Sequence, residues 1–413
     1  MKNLNLLMEG RKARCFAHPQ ACSSPRARHR GAGVNARAHP IKSPRTPLTP
    51  RSPRSPGSPG VAVMVPFDVT LRSLQLNATP SSEVQSSNAG LGETTLFEKA
   101  GISPEYFADA GNKAHWDALA TVLSEKLDIE VDSPRIQHYY LPVYLWIKQK
   151  LRDHSGSSSP LCVGLSAPQG CGKTTLVTAF EELFESEGLV CVSMSLDDFY
   201  LTRREQVALA EGHASNDLLQ VRGNAGTHDV PLAMKLISEV KSGGGSGELR
   251  VPCYDKTAFE GKGDRHDESK WRTYDTAKVD IVLYEGWMQG FTSVEDDEGL
   301  DEIHSGIGEV NEILRGYDDM WALMDVWLVI QVKQLDCIYE WRLQAEKAMK
   351  EKFGQDKGMS DDEVKAFVDK YIPAYKAYLP QLYDSDKHVQ NLGCGSKEDV
   401  FMFEVDSTRS PVG

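Results

Sequence analysis

The nine residues 167–175, APQGCGKTT, have the types and order of a loop that cradles phosphates. Gly170 and Gly172 let the backbone curl until its N–H groups face one point, because glycine readily adopts the backbone angles needed. Lys173 is placed to reach the β- and γ-phosphates of a nucleoside triphosphate, and the Thr174 hydroxyl to hold Mg²⁺. Pro168, Gln169, Cys171 and Thr175 complete the loop, and Ala167 occupies its first position, where glycine is commoner. Cys171 reads either as an oxidation-sensitive thiol or as an inert filler.

Two further segments carry acids that such a loop needs nearby. SLDDFY (195–200) offers Asp197 and Asp198, and VLYEGW (282–287) offers Glu285. A carboxylate beside bound phosphates can accept the proton of an attacking hydroxyl or hold Mg²⁺ through water. Asp also suits a helix N-cap, which is the alternative for both aspartates. Glu285 has the place of a second acid that orients the Mg²⁺ shell, since burying it without a partner would be costly. A loop with acids is common to kinases and to ATPases or switch proteins, so these residues leave both classes open.

The elements that must hold these groups are legible as hydrophobic runs. LCVGLSA (161–167), LVCVSMS (189–195), VDIVLYEG (279–286), VWLVIQV (326–332) and VFMFEV (400–405) alternate with helical stretches. Continuous apolar strands separated by helices predict an α/β fold, a P-loop NTPase-type parallel sheet with helices on both faces. Ligands then bind beyond the carboxyl ends of the strands, where the phosphate loop and the three acids fall. A helix is predicted over about 173–186, its positive end toward the phosphates. Residues 96–155 read as a small helical N-terminal region. Trp116, Leu119, Leu123 and Leu127 recur there at helical spacing, as do Tyr140, Val143, Tyr144 and Ile147. The P-loop domain spans 160–413.

Charge divides the 413-residue chain sharply. Residues 1–66 carry twelve Lys/Arg and one acid, Glu9, a balance of +11, so the rest must carry −24 to give the net −13. So acidic a body is a poor partner for nucleic acid, and an anionic substrate needs local cations. No run approaches the roughly 20 apolar residues of a membrane helix. Residues 1–65, rich in Arg, Ser and Pro, have the composition of a cleaved transit peptide, and 66–95 of a linker. The eight cysteines form no CxxC pair and no zinc spacing, so a reducing compartment is expected.

A phosphate loop followed by DDFY resembles the superfamily of uridine kinase, pantothenate kinase and phosphoribulokinase. RGNAGTHD (222–229), VPCYDKTAFEGKGDR (251–265), YEGWMQGF (284–291), EWRLQAE (340–346) and the stretch 358–383 are similar to plant-type D-glycerate 3-kinases, across roughly 96–408. The resemblance implies transfer from ATP, with Mg²⁺, to the 3-hydroxyl of D-glycerate, giving 3-phosphoglycerate for photorespiration in the chloroplast. It makes Asp197 the general base and Arg342 a further catalytic group; Lys173 and Asp198, read from the residues themselves, complete the expected catalytic set. Arg342 would lie on a helical lid that closes over the phosphates. Its alternative is an i,i+4 ion pair with Glu346. Another small alcohol, such as uridine or pantothenate, remains an alternative acceptor.

For the acceptor the residues speak less clearly. Arg222, His228, Lys256, Lys262 and Arg265 put cations into loops rich in Gly and Pro, and arginine grips a carboxylate at two points. Tyr254 and Asp229 lie among them and join the expected substrate set. Ordinary surface charge is the competing reading. Ser360 and Glu363 spell a capping box, and Tyr371, Tyr375 and Tyr378 read as packing. The expected state is a monomer with a small-molecule substrate.

Overall fold

In the computed structural model, Leu161–Ser166 (β1) is buried along its whole length because both of its faces are covered. Leu161, Val163 and Leu165 point to one side and Cys162 to the other, the period-2 alternation of a strand. Residues 95–242, 247–295, 299–353 and 359–412 are described. The transit-like segment and nearly all of the linker lie outside them.

The other strands are Cys191–Ser195 (β2), Glu248–Val251 (β3), Tyr254–Asp255 (β4), Asp264–Arg265 (β5), Arg272–Asp275 (β6), Ile281–Gly286 (β7), Val326–Val332 (β8) and Val400–Val405 (β9). The central sheet has the order β2-β7-β1-β8-β9, and its pairings are all parallel. Parallel neighbours require crossovers, and the helices that make them cover both faces. One face packs on helices Ala110–Leu127, Leu141–Asp153 and Lys173–Ser186, through Trp116, Leu123, Tyr144, Phe180 and Phe184. The helical N-terminal region therefore shares this layer of core with the sheet. The other face packs on Val230–Lys241 and Ile372–Leu382, with Trp321 and Trp327 fully buried between.

Register aligns the strand ends. Ser166 pairs with Gly286, Leu165 with Glu285, and Ser195 also with Glu285. The phosphate loop, the DDFY segment and Glu285 therefore leave the sheet at one carboxyl edge. A two-tiered hairpin, β3 with β6 and β4 with β5, rises over that edge. The predicted lid is the helix Asp336–Phe353, followed by Asp361–Asp369, whose N-cap is the capping box of Ser360 and Glu363. No helix among the described residues is long and apolar enough to cross a membrane.

Candidate active site

The phosphate loop is shaped by its glycines. Gly170 (φ 83°) and Gly172 (φ 99°) both lie in the left-handed region. Gly172 caps the helix Lys173–Ser186 without any side-chain acceptor, so the first N–H groups of the helix stay available to an anion. Lys173 Nζ donates to the carbonyls of Ala167 (2.8 Å) and Pro168 (3.1 Å), folded back on its own loop. Thr174, in the first turn of the helix, is exposed. Burial pushes the Cys171 thiol up despite the charge of Lys173, which favours the inert reading of this residue.

The aspartates follow β2 in a single 3-10 turn, Leu196–Phe199. Asp197 Oδ2 accepts from Lys256 Nζ at 2.6 Å, a bond from the hairpin rim to the sheet edge. Burial alone would raise the Asp197 carboxyl, but the charge and hydrogen bond of Lys256, with a hydrogen bond from Tyr200, hold it down at about 2. Asp198 faces elsewhere. Its Oδ2 caps the Ser195 N–H (3.2 Å) and pairs with Arg272 Nη2 (3.1 Å). Adjacent acids thus take different work, one aimed at the cleft and one closing the turn. Glu285 sits between the loop and Asp197. Its Oε2 is sealed from solvent with no hydrogen-bond partner, and burial raises its pKa against the pull of Lys173.

The expected substrate residues converge on this edge, but most are committed to one another. Arg222 donates to the carbonyls of Gly261 (2.8 Å) and Lys262 (2.7 Å), and its guanidinium lies 5.6 Å from the Tyr254 ring centre. Arg265 donates to Asp229 Oδ2 (3.0 Å) and to the Tyr200 carbonyl (2.9 Å). Asp229 also caps the helix Val230–Lys241 through the Leu232 N–H. These arginines brace the hairpin, so Lys256 is the cation they hold against Asp197. His228 is not a cation here. It is buried, its Nδ1 meets Tyr317 Oη at 2.9 Å, its ring stacks on Tyr200, and burial lowers its pKa to about 4. The ring is neutral near pH 7 because that burial outweighs the attraction of the Asp197 carboxylate. Arg342 lies on the lid helix and pairs with the buried Glu346, its guanidinium 4.9 Å from the Phe367 ring centre.

The tyrosines read as packing are buried in the core, and what the sequence did not show is that Tyr375 and Trp287 also flank the site. Tyr375 Oη accepts from the Gln169 N–H at 3.0 Å, anchoring the phosphate loop. Trp287, two residues past Glu285, packs edge-on to Tyr371 and Tyr375, and its Nε1 is buried without a partner. Spacing of four along a helix looks the same for a core stripe and for a site wall. The only available signal was the position of Trp287 directly after an edge acid.

No family profile matches the chain. It is 37% identical over 332 residues to the chloroplastic D-glycerate 3-kinase of Arabidopsis thaliana, covering 77% of this chain and 70% of that one. It is 34% identical to the probable ATP-dependent kinase TDA10 of Saccharomyces cerevisiae, over 60% of this chain and 89% of that one. The solved D-glycerate 3-kinase of Cryptococcus neoformans superposes with a TM-score of 0.59 at 31% identity, over 66% of this chain and 97% of that one. A shared sheet order could come from any P-loop protein, but identity at this level along so much of both chains cannot, and the chain belongs to the D-glycerate 3-kinase family of P-loop kinases.

Proposed function

We propose that this enzyme transfers the γ-phosphoryl group of ATP to the 3-hydroxyl of D-glycerate, giving 3-phosphoglycerate and ADP. The observation that carries the reading is the convergence of Asp197, Lys256 and Glu285 with the phosphate loop at one sheet edge. Residues 170–175 hold the triphosphate through backbone N–H groups and Lys173. Asp197 takes the proton of the acceptor hydroxyl as its oxygen attacks phosphorus. Lys256 faces both that carboxylate and the acceptor, and Arg222, Arg265, Tyr254 and Asp229 keep the hairpin over it. His228 is part of the neutral floor. Arg342, on the lid helix held beside the phosphate loop, stabilises the charge of the transferred group, and the lid excludes the water that would otherwise hydrolyse ATP. Asp198 supports the turn that aims Asp197.

A Mg²⁺ that arrives with phosphates needs only one or two protein oxygens. The unpartnered Glu285 Oε2 and the Thr174 hydroxyl fit that need. Bound there, the ion would neutralise charge on the phosphoryl oxygens. We assign the enzyme to the chloroplast, as a monomer serving photorespiration, with residues 1–65 as its transit peptide. The composition of that segment supports this, as does the chloroplastic name of the Arabidopsis relative.

The test is ADP release by purified enzyme against hydroxy acids, uridine and pantothenate. Strong dependence on an acceptor, with D-glycerate best, is expected. Equal turnover without acceptor would replace the kinase with an ATPase. A better rate with uridine or pantothenate would overturn only the choice of acceptor.

A further inference from the structure

The last described turn of the chain reaches the phosphate loop. After β9, Asp406 Oδ1 accepts from the N–H groups of Thr408 (2.8 Å) and Ser410 (3.0 Å), closing a tight turn. Arg409 within it has φ 65°, a left-handed conformation that is costly for a residue with a Cβ. The turn aims its side chain inward, and the residue is 8% exposed. Arg409 Nε donates to the Gly170 carbonyl at 2.6 Å, and Nη1 donates to Gln344 Oε1 on the lid helix at 3.0 Å. The guanidinium lies 5.2 Å from the ring centre of Trp341, also on that helix. Trp341 Nε1 returns a hydrogen bond to the Ser407 carbonyl at 2.8 Å. The close approach is complete on the loop side too, since a Cβ on Gly170 would meet the Trp341 Cβ at 2.7 Å.

We infer that Arg409 is a positioning residue for ATP, tying the phosphate loop to the root of the lid helix so that the two keep one geometry. The peptide plane supplies the reason. In a trans peptide the carbonyl and the next N–H point in opposite directions. Holding the Gly170 carbonyl outward on Arg409 therefore turns the Cys171 N–H into the loop. There it meets only the Pro168 carbonyl, at 3.4 Å, a long bond that a phosphate oxygen can replace. The same guanidinium fixes Trp341 and Gln344, and with them the helix that carries Arg342. Loss of Arg409 frees the Gly170–Cys171 peptide to rotate and the lid helix to drift from the loop. ATP then binds more weakly, and a larger share of it is lost to water.

The experiment compares wild-type enzyme with Arg409→Ala, Arg409→Lys and Gln344→Ala. ATP binding is measured by calorimetry without acceptor, then KM for ATP, KM for D-glycerate, and ADP released with and without acceptor. Removing a charge-assisted bond predicts a roughly ten- to hundredfold rise in the ATP Kd and KM for Arg409→Ala. The KM for D-glycerate should stay within about twofold by the same reasoning, because no partner of Arg409 is in the acceptor cleft. Arg409→Lys and Gln344→Ala should each show a smaller rise in the same direction, and the acceptor-independent share of ADP should grow. If ATP Kd and KM stay near wild type in the variants that fold, the inference is overturned, whatever happens to Tm. Should Arg409→Ala not fold, Arg409→Lys and Gln344→Ala decide the matter. The calorimetric arm needs no acceptor, so it tests Arg409 even if D-glycerate proves to be the wrong acceptor.

Discussion

The phosphate side and the acceptor side of the cleft are built in opposite ways. On the proposed reading, the phosphate side is nine contiguous residues that bind through their backbone, and its shape follows largely from two glycines and a helix start. The acceptor side is assembled from the DDFY turn, the loop at 222–229, the two-tiered hairpin, the segment after β7 and the helix at 372–382. Its charged groups mostly satisfy one another. Arg222 and Arg265 hold loops, and Lys256 pairs with Asp197. On the same reading, contact with polyphosphate comes mostly from local chain geometry, braced from a distance by Arg409 and Tyr375, whereas choice of acceptor comes from a mutual balance among distant residues. A substitution on the first side should change binding of ATP alone. One on the second side should disturb fold and specificity together.

Asp197→Asn is the sharpest way to break this comparison. It keeps the size of the side chain but removes the basic oxygen and the charge. We expect kcat to fall by roughly 10²–10⁴, the usual worth of general-base assistance, with ATP Kd within a few-fold. Asp198→Asn should cost less than about tenfold in kcat on the same scale, because its carboxylate closes a turn and pairs with Arg272. Equal losses in the two variants, measured at saturating Mg²⁺, would make the acids joint holders of metal instead.

Arg265→Ala tests whether the acceptor side is braced or grasped. The Arg265 side chain is 9% exposed and paired to Asp229. Breaking such a pair should cost about 3 kcal/mol of stability, read by denaturant unfolding. If stability were unchanged and the KM for D-glycerate rose about a hundredfold, a direct grip on the carboxylate would be the better account.

His228 makes the acceptor side the part of the cleft that responds to mild acid. Its folded pKa of about 4 lies below the ordinary 6.5, so the unfolded chain takes up the proton first as pH falls. Stability should therefore drop between pH 6.5 and 4, by up to about 3 kcal/mol, and then level off. Asp197 acts in the same direction but lower down, losing its stabilisation as pH falls from 3.8 toward about 2. Thermal melts of wild type and His228→Gln across pH 4–7 check this, and the variant should show the shallower slope. A wild-type slope in the variant would show that another group titrates in that window. The smallest effect is expected from the tail. A chain starting near residue 90 should match the full chain in kcat and Tm, and a large loss of either would give the basic segment a part in the folded enzyme.

Sheet, phosphate loop and edge acids were all legible in the sequence, because each rests on a short-range rule. Runs such as VWLVIQV can bury both faces only in a covered parallel strand, and a Gly-Cys-Gly-Lys-Thr turn between β1 and a helix has the makings of a phosphate cradle. Even the capping box at Ser360 and Glu363 needed no more than a spacing of three. The resemblance singled out Asp197, but the partners that part it from Asp198 were not legible, since adjacent side chains diverge according to what lies opposite, here Lys256 and Arg272. Neither was the neutral state of His228, which depends on burial beneath residues 89 positions away. Arg409, 239 positions from Gly170, carried no signal at all until the sheet brought the turn after β9 beside the loop. Chemistry that depends on local backbone and strand pattern is thus written in the order of the residues. Which charges face the cleft and which neutralise each other is settled by packing, because burial and pairing across long separations belong to the folded molecule.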